Sequence, residues 1–154
     1  MEYIKIVKIP NIENDKKLFG NYCSFEKLVA ELEKKEIPVE INNFINHEIE
    51  ATNSFSGSAI EQSKRIKKAQ SVIIKRLEKD LKLVPKNYYR SIWLPLGMSA
   101  FGVPIGLGIG LSLGNLAFLG IGLPIGMGIG VAVGTAMDKK AMNTGKQLDF
   151  EIKN

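Results

Sequence analysis

Cys23, His47 and the two carboxylates beside that histidine, Glu48 and Glu50, are the side chains whose types invite a chemical role. A thiol next to an imidazole makes a nucleophile pair, and an imidazole with two carboxylates begins a metal site. Both need partners that are missing. The chain of 154 residues holds one cysteine and one histidine, so a CxxC site and an intrachain disulfide are excluded. One histidine beside two acids is accounted for by the polar face of a helix, and no Ser/His/Asp or Cys/His triad can be assembled. The sequence therefore reads as non-enzymatic, without a cofactor or a bound metal. Its lone cysteine suits a reducing cytoplasm.

A second kind of spacing is far more specific. GVPIGLGIGLSLG, starting at Gly102, returns twenty positions later as GLPIGMGIGVAVG, starting at Gly122. In a water-exposed helix each interior glycine costs about 1 kcal/mol relative to alanine and each interior proline about 3, so the string needs a different environment. A phosphate-cradling loop is not that environment. Gly106-Leu-Gly108-Ile-Gly110 lacks the GxGxxG spacing, and no Gly-Lys-Ser/Thr follows either copy.

The environment is indicated by the absence of charge. From Ser91 to Met137 there is no Asp, Glu, Lys, Arg or His, a run of 47 residues. One membrane-spanning helix needs roughly 20 apolar residues, so two fit. The run lies in the C-terminal half, and the N-terminus has no apolar core of the signal-peptide kind. A soluble buried hairpin would leave too little chain to cover both helices. Gly114-Asn115 supplies turn chemistry near the middle, which predicts spans at about 92–113 and 116–137, each roughly 33 Å long. Lys86 and Arg90 precede the first span and Lys139 and Lys140 follow the second, so both termini are expected on the cytoplasmic side of an inner membrane. Tyr88, Tyr89 and Trp93 stand at the entry, where either interfacial anchoring or ordinary packing explains them. A re-entrant hairpin that turns back within the bilayer is the alternative topology.

Within the spans, Gly102, Gly106, Gly110 and Gly114 recur every four residues, as do Gly122, Gly126, Gly130 and Gly134. Each series predicts a groove along one helix face, where another backbone can approach closely. A hairpin reversing at Gly114-Asn115 sets Gly102 near Gly126 and Gly106 near Gly122. A second row of small residues, Gly108 and Ser112 with Gly120, Gly128, Ala132 and Ala136, is offset by two positions, or about 200°. That row predicts a face for a neighbouring copy of the chain. Pro104 and Pro124 are expected to kink the helices at matching depths. The two repeats run in opposite directions, as in some transporters, yet neither span carries a charge that would hold an ion.

The stretch LGNLAFLGIGLPIGMGIGVAVGTAMDKKA, with KNYYRSIW ahead of it and GKQLDFEIK behind, resembles small uncharacterised bacterial glycine-zipper membrane proteins. The resemblance covers about Val84 to the C-terminus. It implies a membrane hairpin, and it supplies no catalytic residue and no activity.

The remaining chain divides by charge. Residues 1–57 carry a net charge of −3, residues 58–90 carry +7, and the tail 138–154 carries +1. Tyr3 to Ile9 reads as a strand bounded by Pro10. Ser24 reads as the cap of a helix to Lys35, and Pro38 opens another with an Ile41, Phe44, Ile45 and Ile49 stripe. After Ser54 to Ser58 a long helix runs from Ala59 to about Leu83. Its Lys64, Arg65, Lys67, Lys68, Lys75, Arg76, Lys79 and Lys82 form, with Lys86 and Arg90 and with Lys139 and Lys140 beyond the second span, a basic juxtamembrane set. Anionic lipid headgroups and a merely solvated helix face both account for it, whereas nucleic acid fits poorly because no base-stacking aromatics are interleaved. Leu148 to Lys153 alternates like a strand and is expected to pair with Tyr3 to Ile9.

The expected architecture is mainly α: an N-terminal cytoplasmic domain, α or α+β, over 1–57, a basic amphipathic helix over 58–90, a two-helix glycine-zipper hairpin over 91–137 and a cytoplasmic tail over 138–154. The expected function is a membrane scaffold or anchor that self-associates through glycine zippers and presents its cytoplasmic part to a protein partner. The alternative is an oligomeric channel or permeabilising protein, for which only Ser99, Ser112, Asn115 and Thr135 would line a pore.

Overall fold

The computed structural model of the chain describes residues 3–10 and 12–152. It is mainly helical, and it divides into two units, one formed by the chain up to Pro85 and from Leu148 onward, the other by Lys86 to Gln147. The helix of the basic stretch 58–90 is packed into the first unit.

Three helices make that unit. Helix α1 (Lys16–Glu33) starts at Asp15, whose carboxylate accepts the backbone N–H groups of Lys17 and Leu18 at 2.9 and 3.0 Å. It begins well before the Ser24 cap expected from sequence. Aspartate caps as well as serine does, and Leu18, Tyr22 and Phe25 extend the buried stripe backwards, so burial outweighs the glycine at position 20. Ser24 instead lies inside the helix and accepts a hydrogen bond from Gln70 Nε2 at 2.8 Å. Helix α2 (Val39–Asn53) follows Pro38 and buries Ile41, Ile45 and Ile49, with Phe44 at its flank beneath the Arg76 guanidinium, 5.7 Å from the ring centre. Helix α3 (Ala59–Leu81) opens on a capping box between Ser58 and Glu61 and stops at Lys82, which adopts a left-handed φ of 58°. Ile66, Ala69, Ile73 and Leu77 of α3 are buried where it packs against α1 and α2.

Tyr3 to Ile9 forms no strand. Asparagines of α2 satisfy its backbone instead. Asn46 Oδ1 accepts from the Ile4 N–H at 3.1 Å, while Asn53 accepts from the Val7 N–H at 2.9 Å and donates to the Lys5 carbonyl at 3.0 Å. The Tyr3 hydroxyl donates to Asn42 Oδ1. These three asparagines fall within about 40° on the helix and substitute for a strand edge. The tail pairs elsewhere: strand β1 (Val84–Lys86) is hydrogen-bonded to β2 (Gln147–Glu151), with Leu148 and Phe150 buried and Asp149 and Glu151 exposed. The alternation in the tail thus predicted a strand and misjudged its partner.

The second unit is a hairpin of two apolar helices, Tyr88–Ser112 and Leu116–Asn143, each long enough to cross a membrane. The first consists of α4 (Tyr88–Gly97), a π turn (Met98–Gly102) and α5 (Val103–Ser112). The second opens with a 3₁₀ turn (Leu116–Phe118) and continues as α6 (Leu119–Asn143). Both overrun the expected limits of 92–113 and 116–137 at the hairpin's open end. At the closed end Gly114 has φ +65°, the Asn115 N–H donates to the Gly110 carbonyl at 2.9 Å and the Gly114 N–H to that of Leu111 at 3.3 Å. This is a Schellman stop. Asn115 Oδ1 then accepts the Ala117 N–H at 2.9 Å and starts the return helix.

Candidate functional site

The glycine rows meet backbone to backbone. A Cβ placed on Gly122 would lie 2.2 Å from the Gly102 carbonyl oxygen and 2.4 Å from the Gly106 nitrogen, and one on Gly126 would lie 2.4 Å from the Gly102 nitrogen and 2.5 Å from the Gly97 oxygen. Further along, a Cβ on Gly130 would lie 2.2 Å from the Trp93 carbonyl oxygen and one on Gly134 2.5 Å from the Arg90 Cα, while one on Gly106 would lie 2.6 Å from the Leu119 carbonyl oxygen and one on Gly110 3.2 Å from that of Asn115. No side chain fits between the helices over this length. Gly114 is different from the rest of its series. Nothing lies within 4 Å of its hypothetical Cβ, and its left-handed φ makes it the turn residue, so it is corrected from the packing row to the loop.

Gly97 takes its place in the row, and sequence spacing missed it because Gly97 and Gly102 are five residues apart. The π turn bridges that step: the Val103 N–H reaches back to the Met98 carbonyl, and the extra residue returns Gly102 to the face of Gly97. Pro104 supplies a cause, since it lacks an N–H and its ring crowds the carbonyl four residues earlier. Pro124 has no such effect, because α6 runs unbroken through it.

Asp138 closes the open end. It follows Gly134 by four residues, so it extends the row 122, 126, 130, 134, and it is only 6% exposed. Its Oδ1 accepts the Tyr89 N–H and its Oδ2 the Arg90 N–H, both at 3.0 Å. These are donors of the first turn of α4, whose own N-cap, Asn87, makes no side-chain cap. A carboxylate from one helix thus caps the other, where the dipole also favours negative charge. The four-residue period carries the signal for this residue, and the charge that ends the apolar run masks it.

The hairpin's outer surface is inverted relative to a soluble protein. Leu111, Leu113 and Leu116 are 72%, 60% and 62% exposed, and Ile92, Leu96, Ile121, Ile125 and Met127 also point outward. The second row of small residues lies on this surface: Gly108, Gly120 and Gly128 have nothing within 4 Å of a hypothetical Cβ, and Ser112, Ala132 and Ala136 are exposed. The hydroxyls donate to their own helices, Ser112 to the Gly108 carbonyl at 2.8 Å and Ser99 to those of Pro95 and Leu96 at 3.1 Å. At the open end Lys86, Arg90, Lys139 and Lys140 are exposed, and the Tyr88 and Tyr89 rings meet edge to face at 5.3 Å.

In the first unit the basic residues of α3 separate into two sets. Arg65 pairs with Glu48 at 3.3 Å, Arg76 with Asp80 at 2.5 Å and Lys82 with Glu78 at 3.8 Å. Lys64, Lys67, Lys68, Lys75 and Lys79 are exposed, all but the flanking Lys67 on the side opposite the buried stripe. His47 and Glu50 are exposed and Cys23 is half-buried. Among the described residues no group of three or more His, Cys, Asp or Glu side chains is placed to hold a metal ion. Burial, reinforced by Glu33, pushes the Tyr3 hydroxyl up to about 12, and burial with the nearby Glu26 does the same to Tyr22. Compared with models of protein families, with curated proteins and with solved structures, the chain finds no match in any of the three.

Proposed function

We propose that the chain is an integral membrane protein whose glycine-faced hairpin crosses the bilayer and anchors the helical domain as a scaffold, with both termini cytoplasmic. The inverted hairpin carries this reading. Burying a leucine or isoleucine side chain contributes about 1.5–3 kcal/mol in water, and here those side chains are exposed while glycines, which offer almost no apolar area, are buried. In lipid the same arrangement is favourable, because the outer side chains are solvated by acyl chains and close backbone contact gives dispersion where no hydrophobic drive exists between helices. The unpartnered outer row of Gly108, Gly128 and Ala132 favours contact with a second copy. The scaffold is preferred to a pore because the Ser99 and Ser112 hydroxyls are occupied by their own backbones and the Asn115 side chain by the turn.

The test is membrane retention with topology. The full chain should remain in the pellet after alkaline carbonate extraction. On a Cys23→Ser background, Asn115→Cys should react with an impermeant thiol reagent from outside, and Ser56→Cys only after lysis. Extraction into the supernatant would end the membrane reading. Retention without labelling at Asn115 would replace the spanning hairpin with a re-entrant one. Gly128→Leu should abolish crosslinked oligomers without affecting retention, and persistence of oligomers would assign the outer row to lipid.

A further inference from the structure

We infer that the exposed face of α3 is an electrostatic docking surface for an anionic bilayer, an inference that rests on the membrane reading above. A basic amphipathic helix ordinarily reaches lipid by inserting its apolar face. That route is closed here, since Ile66, Ile73 and Leu77 of α3 are at most 1% exposed, used up against α1 and α2. What faces outward is a stripe of Lys64, Lys68, Lys75 and Lys79, with Ser71 beside it midway along its length and Lys67 on its flank, all exposed. At 100° per residue the four lysines fall within about 60°, and they extend over roughly 23 Å. Of the neighbouring acids, Glu61 accepts from the Ser58 N–H and hydroxyl and also attracts Lys64 at the N-terminal end of the stripe, while Asp80 holds Arg76 and Glu78 pairs with Lys82.

The shape of this stripe selects its partner. Lysines spread along a straight line converge on no single phosphate. An extended field of negative headgroups matches both the sign and the span. The arginine forks that recognise phosphates bidentately are turned away, as Arg65 and Arg76 are held in ion pairs. The stripe also has no aromatic side chain on which a base could stack, which favours lipid over nucleic acid.

The full chain, with Cys23→Ser and a fluorophore at Ser71→Cys, is reconstituted into vesicles of phosphatidylcholine alone or with phosphatidylglycerol, each doped with a headgroup acceptor dye. Energy transfer from Ser71→Cys should rise with phosphatidylglycerol and fall in 1 M salt, where screening acts within about 3 Å. Replacing Lys64, Lys68, Lys75 and Lys79 with Gln should lower the docked-to-free ratio at least about tenfold, against a ceiling near 1000-fold if each lysine contributes fully. Equal transfer in the two lipids, or an unchanged quadruple variant, would overturn the inference. Transfer abolished by added tRNA at a low molar ratio would reassign the stripe to nucleic acid. Carbonate-resistant flotation is scored on the same vesicles: failure there in both lipids strikes the membrane reading itself, and success there without a lipid effect strikes only the docking surface.

Discussion

A single methyl group at Gly122, compared with one at Gly128, tests how the hairpin is held together. Both glycines lie in α6, six residues apart, and both Gly→Ala changes improve intrinsic helix propensity by up to about 1 kcal/mol. Their surroundings are opposite. The new Cβ at 122 would be 2.2 Å from the Gly102 oxygen and 2.5 Å from the Gly106 Cα, whereas at 128 it would have nothing within 4 Å. Backbone cannot swing aside as a flexible side chain can, so Gly122→Ala must part the helices by about 1 Å to restore van der Waals separation. A gap of 0.5–1 Å forfeits roughly a quarter to a half of each dispersion contact, and the loss spreads along the neighbouring glycine contacts. Overpacking of this kind costs about 1–3 kcal/mol. The assay is unfolding of the full chain from mild detergent into SDS, followed by helicity and by fluorescence of Trp93, whose carbonyl lies against Gly130. Gly122→Ala should unfold at distinctly lower SDS fraction than the parent, and Gly128→Ala at the same or a higher one. Equal midpoints for the two variants would show that the helices are not in backbone contact at Gly122, and the account of the hairpin would fall with them.

Asp138→Ala should orphan the Tyr89 and Arg90 N–H groups, lower hairpin stability by about 1–2 kcal/mol as other lost caps do, and admit trypsin at Arg90; Asp138→Asn, which keeps one acceptor oxygen, should fall between. Asn53→Ala removes the partners of the Val7 N–H and the Lys5 carbonyl, so amide exchange at Val7 should accelerate while α3 stays protected. Alkaline titration should find Tyr3 and Tyr22 ionising near 12. Their raised values stabilise the fold fully below the unfolded tyrosine value of about 10, and that stability, on the order of 2 kcal/mol each, is lost as pH rises through the folded value. Phenolate absorbance that rises for all four tyrosines near pH 10 while helicity is retained would refute the burial of these two. Deleting one residue from the π turn, Ala100, should leave the hairpin intact, since an ordinary four-residue step then joins Gly97 to the next glycine; deleting Leu107 should disrupt it.

Local periodicity carried a large part of this protein. The apolar run, the Gly114-Asn115 reversal and the four-residue glycine steps are properties of consecutive residues, and together they set Gly102 against Gly126 and Gly106 against Gly122. The start of a long helix at Ala59 and the Ile41, Ile45 and Ile49 stripe are legible for the same reason. Pairing across distance was not. The tail alternates as a strand must, but alternation carries no address, and β1 offered a partner while asparagines of α2 had already satisfied Tyr3 to Ile9. The α1 start moved because a long-range core rewards burying Leu18 and Tyr22, which no cap residue announces. Gly97 joined the row only through a π turn, a backbone adjustment that breaks the period by which rows are read. Asp138 had the right period and the wrong chemistry for a row of small residues. Its role became visible only when the end of α6 was set against the first turn of α4, because a cap is defined by the donors it meets and those donors lie 48 and 49 residues earlier in the chain.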